Sequence, residues 1–216
     1  MLPAADPDSV RIRQALADLI DQRGYQELTV AMVVDRAGVA TEDFRRHFID
    51  LDACLLELWR AAREAFIAGT SPAFVAGADW QEGLRGMAWA TCRFMQEDHQ
   101  RARTLMFQLE TGGEQVRAER DQLIWQYVEL LDLGRAGAAD PDALSRDLAA
   151  GIVGSIWQRL HDLVWEDAFE QMPSYIPEMM YISVLPYLGQ DAAEAELRRG
   201  PADIERYDPP DRHPPD

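Results

Sequence analysis

The segment from Leu28 to Cys54, LTVAMVVDRAGVATEDFRRHFIDLDAC, constrains the fold more than any other stretch of this 216-residue chain. Thr29 has the character of a helix N-cap, and Leu28 and Val33 sit at the N′ and N4 positions of a hydrophobic staple. Val30, Val33, Val34 and Ala37 then follow one helical face. Ala37-Gly38-Val39-Ala40 interrupts that face, with Gly38 free to take a positive φ. Thr41 to Phe48 reads as a second short helix that buries Phe44 and Phe48 at i, i+4 and turns Thr41, Glu42, Arg45 and Arg46 outward. Asp50 caps a longer helix. Two short helices joined through a glycine turn are the pattern of a helix-turn-helix, a unit that places its second helix in the major groove of DNA.

The flanking sequence supplies what such a unit needs. Ile12, Ala15, Leu16, Leu19 and Ile20 give a preceding helix, from near Asp8 or Ser9 to Gly24, a single apolar stripe. Leu51, Leu55, Leu58, Trp59, Ala62 and Phe66 do the same for the helix after Asp50, with breaks at Gly69-Thr70-Ser71-Pro72 and Gly77-Ala78-Asp79. Beyond Asp79 the pattern predicts helices at about 79–97, 99–109, 113–133, 141–167 and 173–188 and a short piece near 191–199. The expected fold is all-α, with a three-helix head over residues 1–54 and a helical bundle over 55–199. Residues 200–216, rich in Pro and Asp, read as a disordered tail.

Charge limits what the chain can do. Its net charge is −17, and all 21 basic residues are arginine. Schiff-base and Walker-type chemistry needs a lysine amine, so both are excluded. The acidity also argues against a broad, non-specific nucleic-acid surface. Residues 1–50 hold six arginines against nine acids, a net of −3, which predicts weak non-specific DNA binding and a shallow salt dependence. The N-terminus shows no secretory signal, and no apolar run approaches the ~18 residues that span a bilayer, so a cytoplasmic protein is expected. Cys54 and Cys92 fall inside predicted helices without metal-ligand spacing.

The residues T-V-x-x-V-V-D-R-A-G-V-x-x-x-x-F-x-R-H-F, a capped helix after them and an all-α remainder resemble the TetR family of transcriptional regulators. The resemblance implies a homodimer whose reading helices enter successive major grooves of a palindromic operator. It further implies a C-terminal domain that binds a small effector, with binding changing the separation of the heads. Carried over by position, Thr29 and the start of its helix would touch a phosphate. Thr41, Glu42 and Arg46 would lie nearest the base edges, and Arg45 and His47 would contact phosphates. The chain departs from the family at three places. Arg45 replaces the usual aromatic, Leu51 replaces a lysine after the helix cap, and Ala40 replaces a serine cap, which leaves Thr41 to cap instead. Glu42 and Asp43 then either favour the helix dipole or, for Glu42, accept from a cytosine amine.

Aromatic and Met residues crowd the middle helices, and an apolar or aromatic effector is the expected ligand. With the family likeness, the first candidates for its site are Trp89, Met106, Trp125 and Trp157, with Arg93 and His161 as polar orienters. The helix 141–167 carries Gly151, Gly154 and Ser155, and the helix 173–188 is apolar on more than one side, so both are expected to form the dimer interface.

Glu97-Asp98-His99 and His161-Asp162 with Glu166 are the only clusters suggesting site chemistry. His161 and Glu166 are five apart, about 140° around a helix, which suits shared metal ligation poorly. No cofactor, metal or catalytic function is expected. Two readings remain: a ligand-responsive repressor, or a small-molecule-binding or interaction protein of the same fold with an inactive head.

Overall fold

The computed structural model describes residues 6–111 and 114–199, which hold ten α-helices and no strand among them. The segments 200–216 and Gly112-Gly113, predicted as a tail and a break, lie outside the described residues. The chain divides into two compact units, one of residues up to Ala65 with Gln100–Asp121, the other of Phe66–His99 with Gln122 onward.

In the first unit, α1 (Pro7–Arg23) begins one residue earlier than the sequence suggests, because the Asp6 carboxylate caps it and Pro7 is tolerated at N1. A 3₁₀ turn over Tyr25–Glu27 leads to α2 (Val30–Ala37), α3 (Thr41–His47) and α4 (Leu51–Val75). Ile12, Leu16, Val33, Phe44, Phe48 and Leu55 form the core between them. Phe44 and Phe48 lie with ring centroids 5.7 Å apart. The first turn of α6 (His99–Thr111) closes on α1: the Gln100 amide donates to Asp18 and Asp21 at 3.2 Å and accepts from Gln14. Further along, the Arg60 guanidinium on α4 donates to Glu119 on α7 (Glu114–Asp132) at 2.9 Å.

Several predicted bounds are corrected. α4 does not end at Gly69-Thr70-Ser71-Pro72 but runs to Val75 with Pro72 inside it. Proline removes one helical hydrogen bond, and local packing offsets that loss. The Thr70 hydroxyl, fully buried, donates to Phe66 C=O at 2.8 Å, and Gly69 packs on Phe94. The helix stops where two glycines meet: a Cβ on Gly77 would lie 2.3 Å from the Gly83 nitrogen.

In the second unit, α5 (Trp80–Glu97) starts on an Asp79 cap. α8 (Leu148–Trp165) begins seven residues after the predicted start, since Asp140-Pro141 opens a separate 3₁₀ turn. Arg135 holds that connection by donating to the carbonyls of Pro141, Leu144 and Ser145. α9 (Ile176–Leu188) likewise starts later than predicted, after a 3₁₀ turn over Phe169–Tyr175 that accommodates Pro173. α10 (Gln190–Leu197) follows Gly189, whose φ of 81° requires glycine. It is fastened to α5 by Arg85 and Glu196, an ion pair with both side chains 1% exposed.

Candidate functional site

Two places among the described residues have the geometry of a site. The first is the surface of α3. The turn before it depends on Gly38, which sits in the left-handed region at φ 64°, ψ 40° and returns its N–H to the end of α2. α2 begins as expected, with the Thr29 hydroxyl accepting from Met32 N–H at 3.4 Å and Thr29 itself exposed. α3 differs from expectation. Its cap position is held by Ala40, in extended backbone, and Thr41 is already helical. The Asp43 carboxylate accepts from Ala40 N–H at 3.2 Å, the reciprocal half of a capping box, and the cap residue itself makes no side-chain hydrogen bond to the helix.

The same carboxylate takes up a cation. Asp43 Oδ1 lies 2.5 Å from an Arg46 guanidinium nitrogen. Arg36 is held by Asp18 at 2.6 Å, and His47 faces Asp6 at 3.5 Å. Arg45 makes no ion pair among the described residues and is exposed, as are Glu42 and Arg46. Thr41 and His47 are half-buried. Thr41, Glu42, Arg45 and Arg46 therefore share the short α3, with Thr29 at the start of α2, and the arrangement can present one unpaired guanidinium and several hydroxyl and N–H donors to an anionic surface.

The second place is a cavity of about 100 Å³ inside the second unit. Its walls come from five helices: Phe66 of α4; Leu84, Met87, Ala88, Thr91 and Cys92 of α5; Ile124, Tyr127 and Leu131 of α7; Val153, Ile156, Trp157 and Leu160 of α8; Met179, Met180 and Ser183 of α9. No charged residue lines it. Phe66 anchors one side, packing edge-on to Phe94 at 5.2 Å and against Tyr127 at 5.7 Å. Burial pushes both the Cys92 thiol and the Tyr127 hydroxyl up to about 12, so each holds its proton at neutral pH.

Of the six candidates named from the sequence, only Trp157 lines this cavity. Trp125 is 57% exposed, on the opposite side of α7 from the lining residues Ile124, Tyr127 and Leu131. Met106 is buried within the first unit. Trp89 and Arg93 fall off the α5 stripe formed by Leu84, Met87, Ala88, Thr91 and Cys92, and Arg93 pairs with Glu97 at 3.5 Å. His161 is half-buried beside Asp162. The residues that reading passed over include Cys92, Met179, Met180 and Ser183. Their signal was the i, i+3, i+4, i+7, i+8 stripe of α5 and the inward side of α9, whose Ile176, Met180 and Val184 are buried within the unit. Ile182 remains exposed on the other side of α9.

Among the described residues no three His, Cys, Asp or Glu side chains cluster as a metal site requires, and no helix is long and apolar enough to cross a membrane.

Comparison with known proteins gives the same fold. Residues 12–58 match the family model of bacterial regulatory proteins, tetR family. No curated protein sequence matches the chain. Among solved structures, the fatty acid degradation regulator FadR from Bacillus halodurans aligns with a TM-score of 0.70 at 17% identity, over 86% of this chain and 98% of that one. The transcriptional regulator FadR from Bacillus subtilis, in complex with stearoyl-CoA, gives 0.68 at 19% identity, over 81% and 97%. A TetR family transcription regulator from Marinobacter aquaeolei VT8 gives 0.65 at 16% identity, over 85% and 97%. At such identities the likeness is one of fold.

Proposed function

We propose, for a chain whose residues 12–58 match the family model of bacterial regulatory proteins, tetR family, a ligand-responsive, DNA-binding transcriptional repressor. The observation that carries this reading is the apolar cavity, because two of the helices that wall it are also parts of the unit that holds the head. α4 contributes Phe66 to the cavity and Trp59 and Arg60 to the first unit; α7 contributes Tyr127 to the cavity and Glu119 to the first unit. A molecule that fills the cavity moves Phe66 and Tyr127, and rigid helices transmit that movement along their length. The effector thereby changes the spacing of two reading heads on a palindromic operator.

Two heads require a dimer, and α8 and α9 offer its surface. Gly151 and Gly154 are exposed in the middle of α8, with nothing within 4 Å of an added Cβ. A glycine there costs about 1 kcal/mol relative to alanine, which a closely approaching second copy offsets. Ser155 on α8 and Ile182 on α9 are exposed as well. At the head, Arg45 and His47 are assigned to phosphates, Thr29 to a phosphate at the start of α2, and Thr41, Glu42 and Arg46 to the base edges.

The head's net charge of −3 and the pairing of Arg46 with Asp43 favour a second reading, a small-molecule-binding protein whose head no longer binds DNA. A mobility-shift assay on the duplex flanking the chain's own gene separates the two. Specific binding by the wild type that is lost in Arg45→Ala plus Arg46→Ala supports the repressor. No binding at low salt supports the second reading, and unchanged binding by the double variant removes α3 as the reading helix.

A further inference from the structure

Two of the three hydroxyl groups lining the cavity have their hydrogens already committed, and that decides what kind of ligand they can hold. A hydroxyl carries one hydrogen and two lone pairs. The Thr70 oxygen lies 2.8 Å from the Phe66 carbonyl, which can only accept, so Thr70 spends its hydrogen there. Thr70 also lies 2.8 Å from the Tyr127 hydroxyl, and with its own hydrogen spent it must be the acceptor. Tyr127 is thus the donor in that contact and has only lone pairs left. The Ser183 hydroxyl donates to Met179 C=O at 2.7 Å and is left in the same condition. Thr91 is the third hydroxyl residue of the lining, and its rotor can serve either way.

We infer that the cavity selects an uncharged, apolar molecule carrying one hydrogen-bond donor, an alcohol, phenol or N–H group, in preference to its ether, ester or carboxylate counterpart. This rests on the cavity being the effector site. Tyr127 and Ser183 line the cavity from α7 and α9, and any ligand atom meeting their oxygens must bring the hydrogen. A carboxylate brings lone pairs and a charge, and no cation in the lining offsets the cost of burying it. An ether brings lone pairs alone, so it finds a donor only at Thr91 and leaves the Tyr127 and Ser183 oxygens without a hydrogen.

The test is calorimetric titration of the full chain at neutral pH with cyclohexanol, methoxycyclohexane and cyclohexanecarboxylate, three probes sharing one apolar ring. The alcohol is expected to bind at least about tenfold more tightly than the ether, one hydrogen bond's worth, and the carboxylate not measurably. In Tyr127→Phe plus Ser183→Ala the alcohol loses its advantage over the ether. Equal or tighter binding of the ether or the carboxylate by the wild type overturns the inference and leaves the effector site standing. An alcohol preference that survives the double variant overturns the assignment to these two hydroxyls. Absence of binding by all three probes overturns the effector-site reading itself.

Discussion

One carboxylate on the reading helix has two partners: Asp43 caps the Ala40 N–H with one oxygen and holds the Arg46 guanidinium 2.5 Å from the other. The acid that looks like a liability for DNA binding is thereby part of what starts α3, and it masks a cation that would otherwise face DNA. Asp43→Asn removes one negative charge and loosens Arg46 while keeping a capping oxygen. It is expected to strengthen binding to the operator duplex, where Arg46 is assigned to a base edge, more than to an unrelated duplex. Fluorescence anisotropy on the two duplexes measures the difference, and unchanged affinities would show that Arg46 is not masked.

The turn between α2 and α3 rests on one left-handed residue. Gly38 has open space around its missing Cβ, so the cost of Gly38→Ala is conformational and not steric. About 1–2 kcal/mol of stability should be lost, read as a lower urea midpoint at an unchanged m-value. A cost near zero would mean that the turn is not left-handed.

Arg85 and Glu196 form a pair that is costly to break and cheap to replace. Glu196→Leu alone removes the carboxylate that pairs with Arg85 in the interior and is expected to cost about 3–5 kcal/mol. Arg85→Met with Glu196→Leu should recover most of that loss, because an apolar pair of similar volume needs no counter-charge. Urea unfolding of the two single variants and the double variant closes the cycle, and additive losses would contradict it.

Glu119 gives the first unit an acid sensitivity. Hydrogen bonding from Arg60 holds its carboxyl below the ordinary 4.5. A carboxylate with a lowered folded pKa stabilises the native state above its unfolded value, and that contribution is lost as pH falls through the folded value. Wild-type stability should therefore drop from about pH 4.5 downward, and Glu119→Gln should show a shallower drop over the same range. Thermal unfolding between pH 3 and pH 7 measures the difference, and parallel curves would deny the pairing.

The parts of this molecule legible in its sequence are those decided by neighbours along the chain. Thr29 could be read as a cap and Gly38 as a left-handed turn because each follows from local backbone chemistry. Phe44 and Phe48 could be read as core from a spacing of four. That Ala40 rather than Thr41 holds the cap position of α3, with Asp43 bonding back to it, was not legible, because it depends on which rotamer the acid adopts beside Arg46. The late start of α8 was equally hidden, since the carbonyls of Pro141, Leu144 and Ser145 are gathered by Arg135 from an earlier turn. Of the cavity, Trp157 was legible as a wall, whereas Trp125 faces solvent and Met87 and Cys92 of α5 converge with Met180 and Ser183 of α9.

In the proposed function, filling the cavity changes the grip of the head on DNA. Its most direct measurement is the affinity of the full chain for the duplex flanking its own gene, by anisotropy, without and with saturating cyclohexanol. A loss of about 5- to 150-fold is expected. Cyclohexanol bound by calorimetry, with DNA affinity unchanged, would contradict it.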